Sequence, residues 1–98
     1  MIVRTPEQIQ QLASLLLETV ESPVLRQPAK ANIKAGLQQA WKSVCAGHTN
    51  YTEIENNLPA DKYTVQARAI AVLAVDWLQG EEMDWTRFIN NLLKTPAK

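Results

Sequence analysis

The sequence predicts an all-α fold: a compact single-domain bundle of four main helices with one or two short helical turns. Twelve Ala, eleven Leu and eight Gln among the 98 residues favour helix, whereas helix-breaking Gly occurs only three times. No stretch of about four to eight residues alternates apolar with polar side chains, which is the pattern of a half-buried strand. Residues typical of helix starts and ends recur at intervals, and the length fits one domain, 1–98.

The first helix is predicted over residues 6–21. Thr5 can cap its start, and Gln8 completes a capping box. Pro6 suits the first helical position because the N–H that it lacks would have no helical partner there. The pair Ser22–Pro23 ends the helix. Its apolar face, at about 100° per residue, consists of Ile9, Leu12, Ala13, Leu16, Leu17 and Val20.

The second helix is predicted over residues 28–46, with Pro28 at its first position and Gly47 as its C-terminal cap. Residues 23–27 are expected to form a connector or a single short turn. One flank of the helix carries only small residues, which predicts a close crossing with another helix. These residues are Ala29, Gly36, Ala40 and Ser43.

A short helix is predicted over residues 51–58, and the longest helix over residues 60–79, between Pro59 and Gly80. The longest helix carries apolar residues on two sides, which is typical of a helix at the centre of a bundle or at an interface. Its main stripe is Tyr63, Ala67, Ile70, Leu73, Ala74, Trp77 and Leu78, and its reverse face holds Val65, Ala69, Val72 and Val75.

The last helix is predicted over residues 84–94. Asp84 can cap it, and Met83 can pack on Phe88 as a hydrophobic staple. Trp77 and Trp85 fall within apolar stripes, so we expect both to anchor the core. The tail, residues 95–98, is expected to be frayed.

Patterns that would support chemistry are nearly absent. Cys45 and His48 have a C-x-x-H spacing, but no further Cys or His completes the three or four ligands that zinc needs. We expect Cys45 to be a small buried residue and His48 a loop residue. Four carboxylates fall close together without the order of a calcium loop: Asp76, Glu81, Glu82 and Asp84. The sequence therefore predicts no catalytic residue, no cofactor and no metal site, and a protein that is not an enzyme.

The charge layout is the feature that folding explains least. The formal net charge is zero, with ten basic and ten acidic residues. Between residues 22 and 52 all charged residues are basic, and between residues 69 and 86 all are acidic. The basic set predicts a small anion-facing patch beside Trp41, although the lysine stems could instead only pack along the edge of the core. The patch consists of Arg26, Lys30, Lys34 and Lys42.

A second candidate surface lies on the reverse face of the longest helix. Val65, Ala69, Val72 and Asp76 follow an i, i+4, i+7, i+11 spacing that places them on one side. Their small side chains allow another helix to approach closely. That helix could come from this chain or from a second copy, which would make a homo-oligomer.

These features predict a small non-catalytic protein–protein interaction, adaptor or regulatory module that binds an unidentified protein, a second copy of itself, or both. The alternative is weak nucleic-acid binding through the basic second helix, which the zero net charge disfavours. No membrane contact is expected, because the longest apolar run, residues 69–78, is about half of the roughly 20 residues that span a bilayer. The N-terminal residues lack a signal-peptide pattern, so we expect a cytoplasmic protein.

Overall fold

The computed structural model describes residues 2–20 and 23–94. These residues form five α-helices and no strand: α1 (Pro6–Thr19), α2 (Pro23–Cys45), α3 (Tyr51–Asn56), α4 (Val65–Leu78) and α5 (Trp85–Lys94). The predicted all-α class is confirmed. The tail at 95–98 lies outside the described residues. The predicted end of the first helix at residue 21 is wrong, because α1 ends at Thr19.

Helix α1 begins as its sequence predicts. The Gln8 N–H donates to Thr5 Oγ1 at 3.1 Å, and the Thr5 N–H donates to Gln8 Oε1 at 2.8 Å, which completes the capping box. The helix ends at Thr19 because Val20 is extended, with φ −79° and ψ 102°. Leu12, Leu16 and Val20 are buried and attach α1 to the core.

The predicted start of the second helix, at Pro28, is wrong: α2 begins five residues earlier, at Pro23. The segment 23–27 is therefore helical, and Pro28 lies inside the helix. A proline there removes one backbone hydrogen bond, the one to the carbonyl of Val24. Val24 is 82% exposed, so water can reach this position and bind the freed carbonyl.

The predicted start of the longest helix at residue 60 is also wrong. Helix α4 begins at Val65 because Thr64 is its N-cap: the Thr64 backbone is extended, and its Oγ1 accepts from the Ala67 N–H at 3.1 Å. The preceding residues form a turn in which the Lys62 and Tyr63 N–H groups both donate to the Pro59 carbonyl. Helix α3, predicted to end at residue 58, ends at Asn56.

The core is built around the crossing of α2 and α4. The small flank of α2 is buried, as the sequence predicts: Ala29, Gly36, Ala40 and Ser43. At Gly36 a Cβ atom would lie 2.8 Å from the Ala67 carbonyl oxygen, so only glycine allows the two backbones to approach this closely. Trp77, in the last turn of α4, and Trp85, at the start of α5, are buried as predicted, with their rings edge-to-face at 6.2 Å.

Two glycines terminate helices in the left-handed conformation. Gly47 follows α2 with φ +80°, and Gly80 follows α4 with φ +109°. In each case the N–H of the glycine and the N–H of the following residue donate to carbonyls of the last turn, which is the Schellman arrangement. The N-terminal segment secures the end of α4: Arg4 Nε donates to the Trp77 carbonyl at 3.0 Å, and its guanidinium lies 4.9 Å from the centre of the Trp77 indole.

Candidate functional site

A groove of about 750 Å³ runs between α1 and α2. We call it the α1–α2 groove. Its apolar lining comes in equal numbers from the two helices: Ile9, Ala13 and Leu17 from α1, and Ile33, Leu37 and Trp41 from α2. The polar residues at its edges are Gln10 and Ser14 on α1 and Lys30, Lys34, Gln38 and Lys42 on α2.

The groove exists because the apolar face of α1 is wider than the surface that the core covers. Leu12 and Leu16 are buried, but Ile9, Ala13 and Leu17, one position further round the helix, are only half-buried. The sequence places all of them on one core face. Five residues of the predicted apolar face lie within the 14 residues of α1 and indicate this surplus, but they do not say which of them the fold leaves uncovered.

The structure brings three of the four predicted basic residues to this groove. Lys30, Lys34 and Lys42 line its α2 side and are exposed. No acidic residue lies among its lining residues, and the α1 side is neutral. Arg26 lies elsewhere: its Nε donates to the Val20 carbonyl at 3.2 Å, at the junction of α1 and α2.

The second predicted surface is a smaller recess of about 350 Å³ at α3, α4 and α5, which we call the α4 recess. Val65, Ala69 and Val72 line it, together with Leu58, Leu73 and Phe88. Val65 is 54% exposed, whereas Ala69 and Val72 are half-buried. Asp76, predicted to share this surface, is exposed but does not line the recess.

The polar side of the α4 recess is a cluster of three side chains. The Tyr51 hydroxyl donates to Glu55 Oε1 at 2.8 Å, and Arg68 Nη2 lies 3.6 Å from the same oxygen. The hydrogen bond to Glu55 and the negative charge of that carboxylate raise the pKa of Tyr51 above its ordinary value. Arg68 Nε is buried and has no hydrogen-bond partner among the described residues.

Two of the four acidic side chains near the α4–α5 junction, those of Glu82 and Asp84, make contacts within the fold. Asp84 Oδ1 accepts from the Arg87 N–H at 3.1 Å and so caps α5, as predicted. Glu82 lies 3.6 Å from Arg4 Nη2, which also donates to the Glu81 carbonyl. Within the part of the chain that the structure describes, no group of three or more His, Cys, Asp or Glu residues could hold a metal ion.

The prediction that Cys45 is buried is wrong: its side chain is exposed. Cys45 is two residues, or about 200°, round α2 from the buried Ser43, and so lies on the side of the helix that faces solvent. His48 lies in the loop after α2, as predicted, where its Nδ1 is 2.9 Å from Asn57 Nδ2 and its Nε2 is 4.0 Å from Glu53 Oε2.

None of the described helices combines the length with the apolar character that crossing a membrane requires. Comparison of the chain with known protein families, with curated proteins and with solved structures finds no match.

Proposed function

We propose that this chain is a cytoplasmic, non-catalytic protein–protein interaction module and that the α1–α2 groove is its binding site. One observation carries the proposal: half-buried Ile9, Ala13 and Leu17 of α1 and half-buried Trp41 of α2 line a groove that the described chain leaves open. The buried Ile33 and Leu37 form its floor on the α2 side. Contiguous exposed apolar surface with a polar rim is typical of interaction sites. Apolar area of this kind gives affinity when a partner covers it.

The shape of the groove favours a polypeptide partner over a compact small molecule. Its α2 wall runs from Lys30 to Lys42, which is about 18 Å at 1.5 Å per residue. Its α1 wall runs from Pro6 to Leu17, which is about 16 Å. A long open groove between two helices is the surface into which an amphipathic segment of a partner docks.

Site-specific photocrosslinking in an extract of the source cells tests this proposal. Benzoylphenylalanine replaces Gln38, an exposed residue at the groove, or Gln11, an exposed residue on the outer side of α1. We expect one discrete adduct from the Gln38 variant, none from the Gln11 variant, and loss of the adduct when Ala13→Arg fills the groove. No adduct, or the same adducts from both positions, would refute the assignment of the groove.

Nucleic-acid binding through α2 has weaker support. Lys30, Lys34 and Lys42 border an apolar groove, and Arg26 is engaged with a backbone carbonyl, so only three lysines share this surface. Three phosphate contacts give a shallow dependence of affinity on salt and weak binding at physiological ionic strength. This alternative predicts binding to a single- or double-stranded oligonucleotide at low salt that Lys30→Glu with Lys34→Glu abolishes.

Self-association through the α4 recess is a second candidate, favoured by its charges. A two-fold axis places a surface against itself, so the surface must be self-complementary. The recess carries one acidic and one basic residue, Glu55 and Arg68, beside the exposed Val65. The α1–α2 groove carries lysines only and would repel its own copy. Sedimentation equilibrium should detect a dimer that Val65→Asp dissociates, and a wild-type chain that stays monomeric at high concentration would exclude it.

A further inference from the structure

We propose that the occupant of the α1–α2 groove is an amphipathic helix of a partner protein, with acidic side chains along the flank that faces α2. The inference rests on the proposed function, because it identifies the chemistry of the partner at the same groove. Two independent observations carry it: the spacing of the residues that form the walls, and the one-sided distribution of charge.

The walls are helical ridges. The apolar residues on α1, at positions 9, 13 and 17, and those on α2, at positions 33, 37 and 41, each repeat every four residues. Residues at this spacing form the i±4 ridges by which α-helices pack into each other's grooves. The α1 ridge is half-buried, whereas on α2 Ile33 and Leu37 are buried and form the floor, with the half-buried Trp41 at its end. Together they leave a channel with the periodicity of a third helix. An extended strand repeats every two residues and does not match it.

The length of the ridges sets the length of the partner helix. Positions 9 to 17 span about 12 Å and positions 33 to 41 span the same distance, at 1.5 Å per residue. A helix that covers both needs about eight to twelve residues, or two to three turns. Apolar side chains at i, i+3 or i+4, and i+7 would contact the floor, with Trp41 at one end as a large half-buried anchor.

The charge of the groove decides which amphipathic helix fits. The outer ridge of α2 is Lys30, Lys34, Gln38 and Lys42, again at a spacing of four residues, whereas the outer ridge of α1 is Pro6, Gln10 and Ser14. The next position of the outer α1 ridge, Glu18, is exposed but does not line the groove. One side of a docked helix therefore meets three ammonium groups, and the other side meets neutral groups within the groove. Acidic residues on the α2 side gain attraction, and basic residues there are repelled.

A displayed library of amphipathic helices tests this assignment. Each 14-residue member fixes leucine at positions i, i+4, i+7 and i+11 and varies both flanks among Glu, Gln and Lys. On the wild-type chain we expect enrichment of Glu on one flank and no preference on the other. The enriched helix should compete with formation of the Gln38 photocrosslink.

A charge exchange provides the decisive comparison. The double variant Lys30→Glu, Lys34→Glu should bind the Glu-rich helix roughly ten-fold more weakly and should itself select Lys on that flank. Lys62→Glu changes an exposed lysine in the turn before α4 and should leave the selection unchanged. Circular dichroism of both variants before and during heating verifies the fold.

Three outcomes would overturn the inference: no helix is enriched, the flank facing α2 shows no preference for Glu, or the double variant selects the same helices as the wild type. If the Gln38 photocrosslink from the extract persists alongside any of these outcomes, the proposal of an interaction module still holds. Only the assignment of an acidic helix as its partner is then refuted. If the photocrosslink is also absent, both the interaction module and the acidic helix partner are refuted.

Discussion

The crossing of α2 and α4 depends on the absence of a side chain at Gly36, and Gly36→Ala measures that dependence. A Cβ atom at this position would lie 2.7 Å from Ile70 Cγ2 and 2.8 Å from the Ala67 carbonyl oxygen. Favourable contacts of carbon need about 3.5 Å or more. The Ile70 methyl can rotate, but the Ala67 oxygen belongs to the backbone of α4, so the two helices must separate by about half an ångström.

Two opposing contributions determine the sign of the effect. Alanine is favoured over glycine inside a helix by about 1 kcal/mol. Separating the helices loosens the largest packed contact of the fold, at overpacking costs of about 1–3 kcal/mol and sometimes more. The small flank of α2 loses contact along its whole length, from Ala29 to Ser43, so we expect the packing cost to win. The net loss should be about 1–2 kcal/mol, or roughly 5–15 °C in Tm for a domain of this size.

Urea and thermal unfolding followed by circular dichroism and by tryptophan fluorescence measure this loss. The matched control is Gly47→Ala, where a Cβ would meet nothing within 4 Å but φ is +80°. That variant should lose about 1 kcal/mol through backbone strain alone, with no change in the tryptophan environment. A Gly36→Ala variant as stable as the wild type, or more stable, would refute the close crossing.

Three further predictions concern single contacts. Arg4→Ala should lower the free energy of unfolding by about 1–3 kcal/mol, because two charge-assisted hydrogen bonds to the end of α4 are lost; Arg87→Ala, at an exposed position, should change it by less than about 0.5 kcal/mol. Thr64→Ala should lower the free energy of unfolding by about 1 kcal/mol because it removes the N-cap of α4, whereas Thr64→Ser should retain most of that stabilisation. Equal stability of the Ala and Ser variants in urea would contradict the role of Thr64 as a cap. Glu55→Gln should lower the pKa of Tyr51 toward its ordinary value in an NMR titration, because the acceptor charge is removed. The raised pKa means that this contact favours the folded state below the ordinary pKa of tyrosine and is lost as the pH rises through the raised value; an unchanged pKa would show that Glu55 is not the cause.

Features that depend on a few neighbouring residues could be predicted from the sequence. The capping box at Thr5, the Asp84 cap and the glycine ends at Gly47 and Gly80 are formed by short-range hydrogen bonds and are all present. The close crossing at Gly36 was also predictable, because a mid-helix glycine on a flank of small residues has few other uses.

The starts of α2 and α4 could not be predicted because the sequence offers two acceptable signals for each. Pro23 and Pro28 both suit the first position of a helix, and Pro59 and Thr64 both suit the start of the next one. The contacts of the fold decide between them. Thr64 is fixed by its hydrogen bond to Asn32 of α2, 32 residues away in the chain, which no local pattern encodes.

The sequence predicts the basic residues of the candidate site, but it does not predict which apolar residues form the walls of the groove. Lys30, Lys34 and Lys42 could be identified from the sequence as basic residues on one helix. The apolar ridge at positions 9, 13 and 17 has the same composition as the buried residues beside it, and whether it is covered depends on which helix packs there. In this fold α5 and α2 contact α1, and neither covers that ridge completely.

The residues of α2 that pack against α4 and the lysines of α2 that border the groove lie on different sides of the helix. Its small flank, with Gly36 and Ala40, is buried against α4, whereas the ridge of Lys30 and Lys34 lies about 120° further round the helix, at about 100° per residue. The crossing therefore holds α2 in place without using the lysine ridge, although Ile33 and Leu37 belong both to the core and to the groove. For this reason we expect charge reversal on the lysine ridge to change binding with little effect on folding. A variant at Gly36 should perturb both, because it moves the wall of the groove together with the core.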